Sequence, residues 1–182
     1  MAKNYRRMVT GMIMLFLLST FSSFAQEVNY FPETLLTSDS LFSAAKIIIA
    51  SSPCKVLITV DENGKPFARE MAPFPIDKDW IIWLGTSTIS RKVGQIENNP
   101  NVVVYYYDPE GKSYVSISGK ASLVNDPALK AKYWFDAWEG YFPDRDKDYI
   151  LIKVIPENME VVSYKYKIFW NSTKDPQMFR FE

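Results

Sequence analysis

Cys54-Lys55-Val56-Leu57-Ile58-Thr59-Val60, then Asp61-Glu62-Asn63-Gly64-Lys65, then Pro66-Phe67-Ala68-Arg69-Glu70-Met71 is the stretch from which the fold is read. The first segment is rich in β-branched residues and reads as a strand. The second is a hairpin loop in which Asn63-Gly64 supplies positive backbone angles. The third is the returning strand, continuing to about Phe74. Hairpin-linked strands of this kind point to an antiparallel sheet.

Upstream, Ser38 or Thr37 can cap a helix running to about Ser51, with Leu41, Ala44, Ala45, Ile48 and Ile49 as its apolar stripe. Pro53 stops it. Downstream, Trp80 to Thr86 is an almost wholly apolar strand, so both of its faces should be covered. A short helix from about Ser90 to Asn98 follows, with Val93 and Ile96 toward the core and Asn99-Pro100 as its stop. Asn101 to Asp108 is the fourth strand, and Asp108-Pro109-Glu110-Gly111-Lys112 is a turn. Ser113 to Asn125 is a long strand that Gly119 bends or bulges. Asp126-Pro127 opens a helix expected to carry Tyr133, Trp134, Phe135 and Trp138, and Phe142-Pro143 closes it. Tyr149 to Val154 is a strand, and Met159 to Tyr164 extends the sheet. The fold class is therefore mainly β with flanking helices, an antiparallel barrel.

The leader has its own pattern. Lys3, Arg6 and Arg7 precede an apolar run from Met8 to Leu18, and Ser23-Phe24-Ala25 fits a signal peptidase. The expectation is a cleavable signal peptide over residues 1–25, a mature chain from Gln26, and a periplasmic or extracellular location. The apolar run falls short of the roughly 20 residues of a membrane span, so no stable anchor is expected after cleavage. Residues 26–182 have the length of a single domain, enough to bury a core without covalent staples.

Composition narrows the chemistry. The 182 residues carry 21 Lys and Arg against 21 Asp and Glu, which gives no general affinity for nucleic acid. There is one cysteine, Cys54, so no intrachain disulfide forms. There is no histidine, which excludes Ser-His-Asp and Cys-His catalysis and histidine ligation of zinc or haem. No metal site is expected. Asp144, Asp146 and Asp148 alternate like calcium ligands but lack the glycine and distal glutamate of an EF-hand, so a solvated loop is expected. Cys54 reads as a small buried apolar residue. The Tyr105-Tyr106-Tyr107 run reads as a strand alternating between core and surface. Trp134 and Trp138 read as packing residues at a barrel mouth or dimer face.

Thr86-Ser87-Thr88-Ile89-Ser90-Arg91-Lys92 is the candidate site. It joins a buried strand to a helix N-terminus, where amide groups and the helix dipole favour an anion. Ser90 can act as N-cap. Arg91 and Lys92 then stand in the first turn, where a cation is unfavourable unless an anion binds beside it. Hydroxyls, amides and two cations together can cradle a phosphate; a capped helix with solvated cations is the plain alternative. Arg69 can reach the same loop from its strand, or can be a surface arginine paired with an acid.

Ala68-Arg69-Glu70-Met71, Trp83-Leu84-Gly85-Thr86, Ser90-Arg91-Lys92, Asn99-Pro100-Asn101-Val102 and Tyr114-Val115-Ser116-Ile117-Ser118-Gly119 occur in that order. Together they resemble the pyridoxamine 5′-phosphate oxidase-like proteins, in particular the general stress protein branch. Trp134, Phe142-Pro143 and Asp148-Tyr149-Ile150-Leu151 extend the resemblance, which runs from about Ser40 to Tyr164. It implies a split β-barrel that forms a homodimer and binds FMN at the subunit interface. On that resemblance Arg69 and Lys92 contact the flavin phosphate, with Arg91 beside them. Thr86, Ser87 and Ser90 supply hydroxyl or amide hydrogen bonds, and Trp83-Leu84-Gly85 runs along the isoalloxazine ring.

The chain also departs from that pattern. The oxidases of pyridoxine phosphates carry a C-terminal arginine–histidine motif, which the tail from Lys165 lacks. After Arg69 the strand has Ala72, Pro73 and Phe74 where those enzymes use a basic residue. Vitamin B6 oxidation is therefore not expected, and no catalytic residue is assigned. The leader and the resemblance together lead to the expectation of an exported FMN-binding protein, a flavin-dependent oxidoreductase of unassigned substrate, although export departs from the family pattern. The alternative is a non-enzymatic module that binds another small molecule or a partner on the same fold. A third reading, haem or a deazaflavin, is limited for haem to tyrosine ligation.

Overall fold

Helix α1, Ser38–Ser51, begins where Thr37 adopts an extended backbone and its Oγ1 accepts the N–H of Ser40 at 3.3 Å. Leu41, Ala44, Ala45 and Ile48 recur at helical spacing and are buried on one face, which packs on the sheet. The computed structural model describes residues 37–53, 55–72, 74–169 and 176–181, all within one compact unit, Glu33–Glu182. The predicted signal segment and Cys54 lie outside the described residues.

Strands β1, Lys55–Val60, and β2, Pro66–Met71, form the predicted hairpin in antiparallel register, with Leu57 opposite Arg69. Its loop differs from the expectation, because Gly64 alone has positive φ, at 79°. The Asp61 carboxylate accepts the N–H groups of Asn63 and Lys65, each at 2.9 Å, and this closes the turn with a single left-handed residue. The second strand also stops at Met71, short of Phe74.

Strand β3 is Ile82–Ser87. It starts later than predicted because Trp80 is left-handed, φ 62°, in a turn whose Asp77 carboxylate accepts from Asp79 and Ile81. Both of its faces are covered, as expected: Ile82 and Leu84 enter the main core, and Trp83 enters a second, aromatic core. Helix α2, Arg91–Asn98, buries Ile96 and, against expectation, Gln95 rather than Val93. Strand β4, Asn101–Asp108, matches its predicted bounds and alternates, with Tyr106 inward and Tyr107 exposed.

Strand β5 is Ser113–Val124, and helix α3 is only Pro127–Lys132. The predicted aromatic helix does not form. Tyr133, Trp134 and Phe135 lie beyond α3, and Asp136–Trp138 is a 3-10 turn. In a continuous helix three consecutive rings would point about 100° apart. The irregular path brings them to one cluster: Tyr133 stacks on Trp83 at 5.0 Å, Phe135 on Phe74 at 4.8 Å, and Trp134 meets Tyr149 edge-on at 5.3 Å. Burial of Tyr133, partial burial of Trp134 and the stacking of Phe135 on Phe74 outweigh the helical hydrogen bonds given up. Helix α4, Arg145–Asp148, is a single turn whose N-cap is Asp144, so the spaced aspartates organise a loop.

The two predicted C-terminal strands are one, β6, Tyr149–Ser163, and β7, Gln177–Arg180, pairs with its second half. The sheet order is β2-β1-β4-β5-β6-β3, antiparallel throughout. The predicted irregularity at Gly119 is present as a register shift against β6 between Ser118 and Gly119. Gly119 faces Pro156, and a Cβ there would run into the carbonyl oxygen of Ile155. The shift lets β6 pass a proline without leaving the sheet. Among the described residues, no helix is long and apolar enough to cross a membrane.

Candidate functional site

The sheet order leaves β2 and β3 as its two ends, each paired on one side only. Helix α2 bridges them. From its first turn, Arg91 places its guanidinium 5.1 Å from the ring centroid of Phe67 on β2. The next residue, Lys92, donates from Nζ to Thr86 Oγ1 of β3 at 2.9 Å and to Ser90 Oγ at 2.6 Å. Ser90 occupies the predicted N-cap position, but its side chain makes no capping bond, because its hydroxyl accepts from Lys92 instead.

Arg69 lies on the inner face of β2. Its Nη1 donates to Thr59 Oγ1 at 2.7 Å and its Nη2 to Gln95 Oε1 at 3.0 Å, while Thr59 Oγ1 donates to Gln95 Oε1 at 2.6 Å. It is not the surface arginine of an ion pair. No acidic residue stands in the first turn of α2. Among the described residues, the one ion pair is Lys147 with Asp144, so none of Arg69, Arg91 and Lys92 has a carboxylate partner there. Burial, and then the Arg91 charge, lowers the Arg69 pKa below the ordinary guanidinium value. Burial, and then the Arg69 charge, lowers that of Lys92. The cluster thus holds like charges partly out of water, with neutral hydroxyl and amide oxygens as their acceptors.

A phosphate monoester fits that environment. It supplies negative charge and several acceptor oxygens to donors now held by weaker, neutral partners. The predicted site residues divide accordingly. Arg69, Thr86, Ser90 and Lys92 converge, with Arg91 at the rim. Ser87 is half-buried and pairs with Tyr149 in the sheet. Leu84 is fully buried in the main core. Trp83 is buried on the aromatic face, under Tyr133 and Lys153. Gly85 lies against Tyr149 and Trp138, whose rings leave no room for a Cβ. These three residues therefore offer a ligand the backbone edge of β3 rather than their side chains.

Thr59 and Gln95 belong to the cluster and were not singled out from sequence. Thr59 looked like one more β-branched strand residue. Gln95, three residues after Lys92, follows it on the helix face, and that spacing was the available signal.

One antiparallel sheet whose two end strands are joined by a helix rather than by hydrogen bonds is a split β-barrel. The family model described as pyridoxamine 5′-phosphate oxidase like matches residues 44–178, and the chain belongs to that family. It is similar to general stress protein 26 of Bacillus subtilis, at 34% identity over 106 residues, covering 56% of this chain and 74% of that protein. Among solved structures it is similar to general stress protein 26 of Bacillus anthracis, at 29% identity and a TM-score of 0.61, covering 78% of this chain and 98% of that one. A pyridoxamine 5′-phosphate oxidase-related, FMN binding protein of Nostoc punctiforme shares the fold at 17% identity and a TM-score of 0.61, covering 82% of this chain and 98% of that one.

Proposed function

We propose that this chain is an exported FMN-binding protein and a flavin-dependent oxidoreductase, working as a homodimer. The observation that carries the flavin assignment is the cluster of Arg69, Arg91 and Lys92, free of carboxylates among the described residues, between two unpaired strand edges. Arg69 and Lys92 would hold the phosphate. Thr86 and Ser90 would exchange their bonds to Lys92 for bonds to phosphate oxygens. The open edges of β2 and β3 would offer backbone groups to the isoalloxazine ring. Bound FMN would supply redox chemistry, and the protein would supply binding, orientation and electrostatics.

Dimerisation is supported by the outer face of the sheet. There Tyr105 stacks on Tyr114 at 5.4 Å, and Tyr107 and Ile155 are exposed. Aromatic surface of this kind is typical of interface cores. Oxidation of pyridoxine phosphates is not proposed. The stretch after Arg69 lacks the basic residue those enzymes use, and its Phe74 is buried among Tyr133, Phe135 and Trp138.

Titration of FMN and riboflavin into purified protein, followed by flavin fluorescence, tests the assignment. FMN should bind at least tenfold more tightly than riboflavin, and light scattering should give twice the monomer mass. Absence of FMN binding to folded protein would overturn the flavin assignment. FMN that is bound but reduced by neither NADH nor NADPH under anaerobic conditions would favour the binding-module alternative.

A further inference from the structure

At the other end of β1 from Thr59, a cavity of about 590 Å³ opens between α1, the loop after β2, and the start of β1. Lys55 and Thr59 stand four positions apart on the strand, about 13 Å, so this space is distinct from the cation cluster. Lys55 and Tyr106, direct cross-strand partners, are 1% and 2% exposed, and both line it. Lys55 Nζ donates to the Phe74 carbonyl at 2.7 Å and lies 5.8 Å from the Tyr106 ring centroid. Those contacts use one of its three N–H donors and provide no counter-charge. Tyr106 Oη is buried with no hydrogen-bond partner, the one such side-chain atom among the described residues.

We propose that this cavity is a second small-molecule site, and that it takes an organic monocarboxylate with an apolar body. The carboxylate accepts from Lys55 Nζ and Tyr106 Oη. A buried ammonium without a counter-ion and a buried hydroxyl without an acceptor are each costly, and a single carboxylate satisfies both. A neutral ligand would leave the charge uncompensated, and a cation would be repelled. Lys46 and Lys78 also line the space against one acid, Asp77, which extends the preference for an anion. Ile49, Ile76 and Trp80 line it as well and suit an aliphatic or aromatic body. Neither Lys55 nor Tyr106 touches the proposed flavin phosphate site, so the two assignments stand or fall separately.

The probes are octanoate and phenylacetate, with octanamide and phenylacetamide as neutral counterparts, titrated calorimetrically into the full chain with and without FMN. At least one carboxylate should bind and raise the melting temperature, and its amide should bind at least tenfold more weakly. Lys55→Met keeps the length and packing of the side chain and should abolish carboxylate binding. Tyr106→Phe should weaken it about tenfold. Ala50→Trp places a large ring at the exposed rim of the cavity and should block both probes without disturbing the core. Failure of both carboxylates to bind folded protein, equal binding of acid and amide, or full binding by Lys55→Met would each overturn the proposal.

Discussion

Lys92 Nζ donates to Thr86 Oγ1 at 2.9 Å, which ties a cation in the first turn of α2 to an open edge strand. The acceptor is a neutral hydroxyl, a weaker partner for an ammonium than a phosphate oxygen. Replacing Lys92 with alanine should weaken FMN by about 1.5–3 kcal/mol, the scale of a charge-assisted hydrogen bond. Riboflavin, which has no phosphate, should be nearly indifferent. Equal losses for the two flavins in a fluorescence titration would assign Lys92 to the fold or the ring instead.

Gln95 offers a test of opposite sign for fold and ligand. Its Oε1 accepts from Arg69 and Thr59, and a glutamate in its place would keep that acceptor while adding a negative charge. Gln95→Glu should raise the melting temperature of the flavin-free protein, because it relieves repulsion among Arg69, Arg91 and Lys92. The same change should weaken FMN at least tenfold, because the new carboxylate offsets part of the positive charge and repels the phosphate. Calorimetry and flavin titration on one preparation read both effects. A lower melting temperature would mean that desolvating the new carboxylate outweighs the compensation.

The buried Lys55 makes a prediction about pH. Burial lowers its pKa from about 10.5 to about 8. Between those values the unfolded chain binds the proton and the folded chain does not, so stability should rise with pH across that window. The penalty relieved is on the order of 3 kcal/mol. The charged groups lining the neighbouring cavity are Lys46, Lys78 and Asp77. Urea unfolding at pH 8 and pH 10 should show the rise in wild type and its loss in Lys55→Met. Stopping at pH 10 also limits the contribution of Tyr106, whose pKa burial raises.

Gly119 should not tolerate a side chain. An added methyl would meet the Ile155 carbonyl and lie 3.0 Å from Pro156 Cα, both on the backbone of β6. Gly119→Ala should cost about 1–3 kcal/mol by urea unfolding, the range for overpacking. An unchanged midpoint would show that the bulge can shift.

The export proposal predicts that protein recovered from its native cell envelope begins at Gln26. Intact-mass measurement decides it. Retention of residues 1–25 on the mature chain would overturn it.

The local signals were strongest where period and punctuation agreed. Residues 101–108 alternate, Asn99-Pro100 precedes them, and a turn follows, so β4 fell within its predicted bounds. Thr37 and the 3.6-residue stripe of Leu41, Ala44, Ala45 and Ile48 likewise determined α1. The basic first turn of α2 marked the candidate anion site, because cations there oppose the helix dipole.

Other features depend on partners far away in the chain. Tyr133, Trp134 and Phe135 leave the helical path only because Trp83, Phe74 and Tyr149 are placed to receive them. Gln95 turns inward because Thr59, 36 positions earlier, and Arg69 meet it there. Tyr106 had the strand alternation of any core tyrosine, and only the packed sheet left its hydroxyl without an acceptor beside a buried lysine. Periodicity and capping act within a few residues, and from them the sequence by itself determined α1, α2, the β1-β2 hairpin, β4 and the placing of Arg91 and Lys92 in the first turn of α2. Burial and charge compensation act between segments, so only the tertiary structure decided which polar groups share an environment and which of them remain unsatisfied.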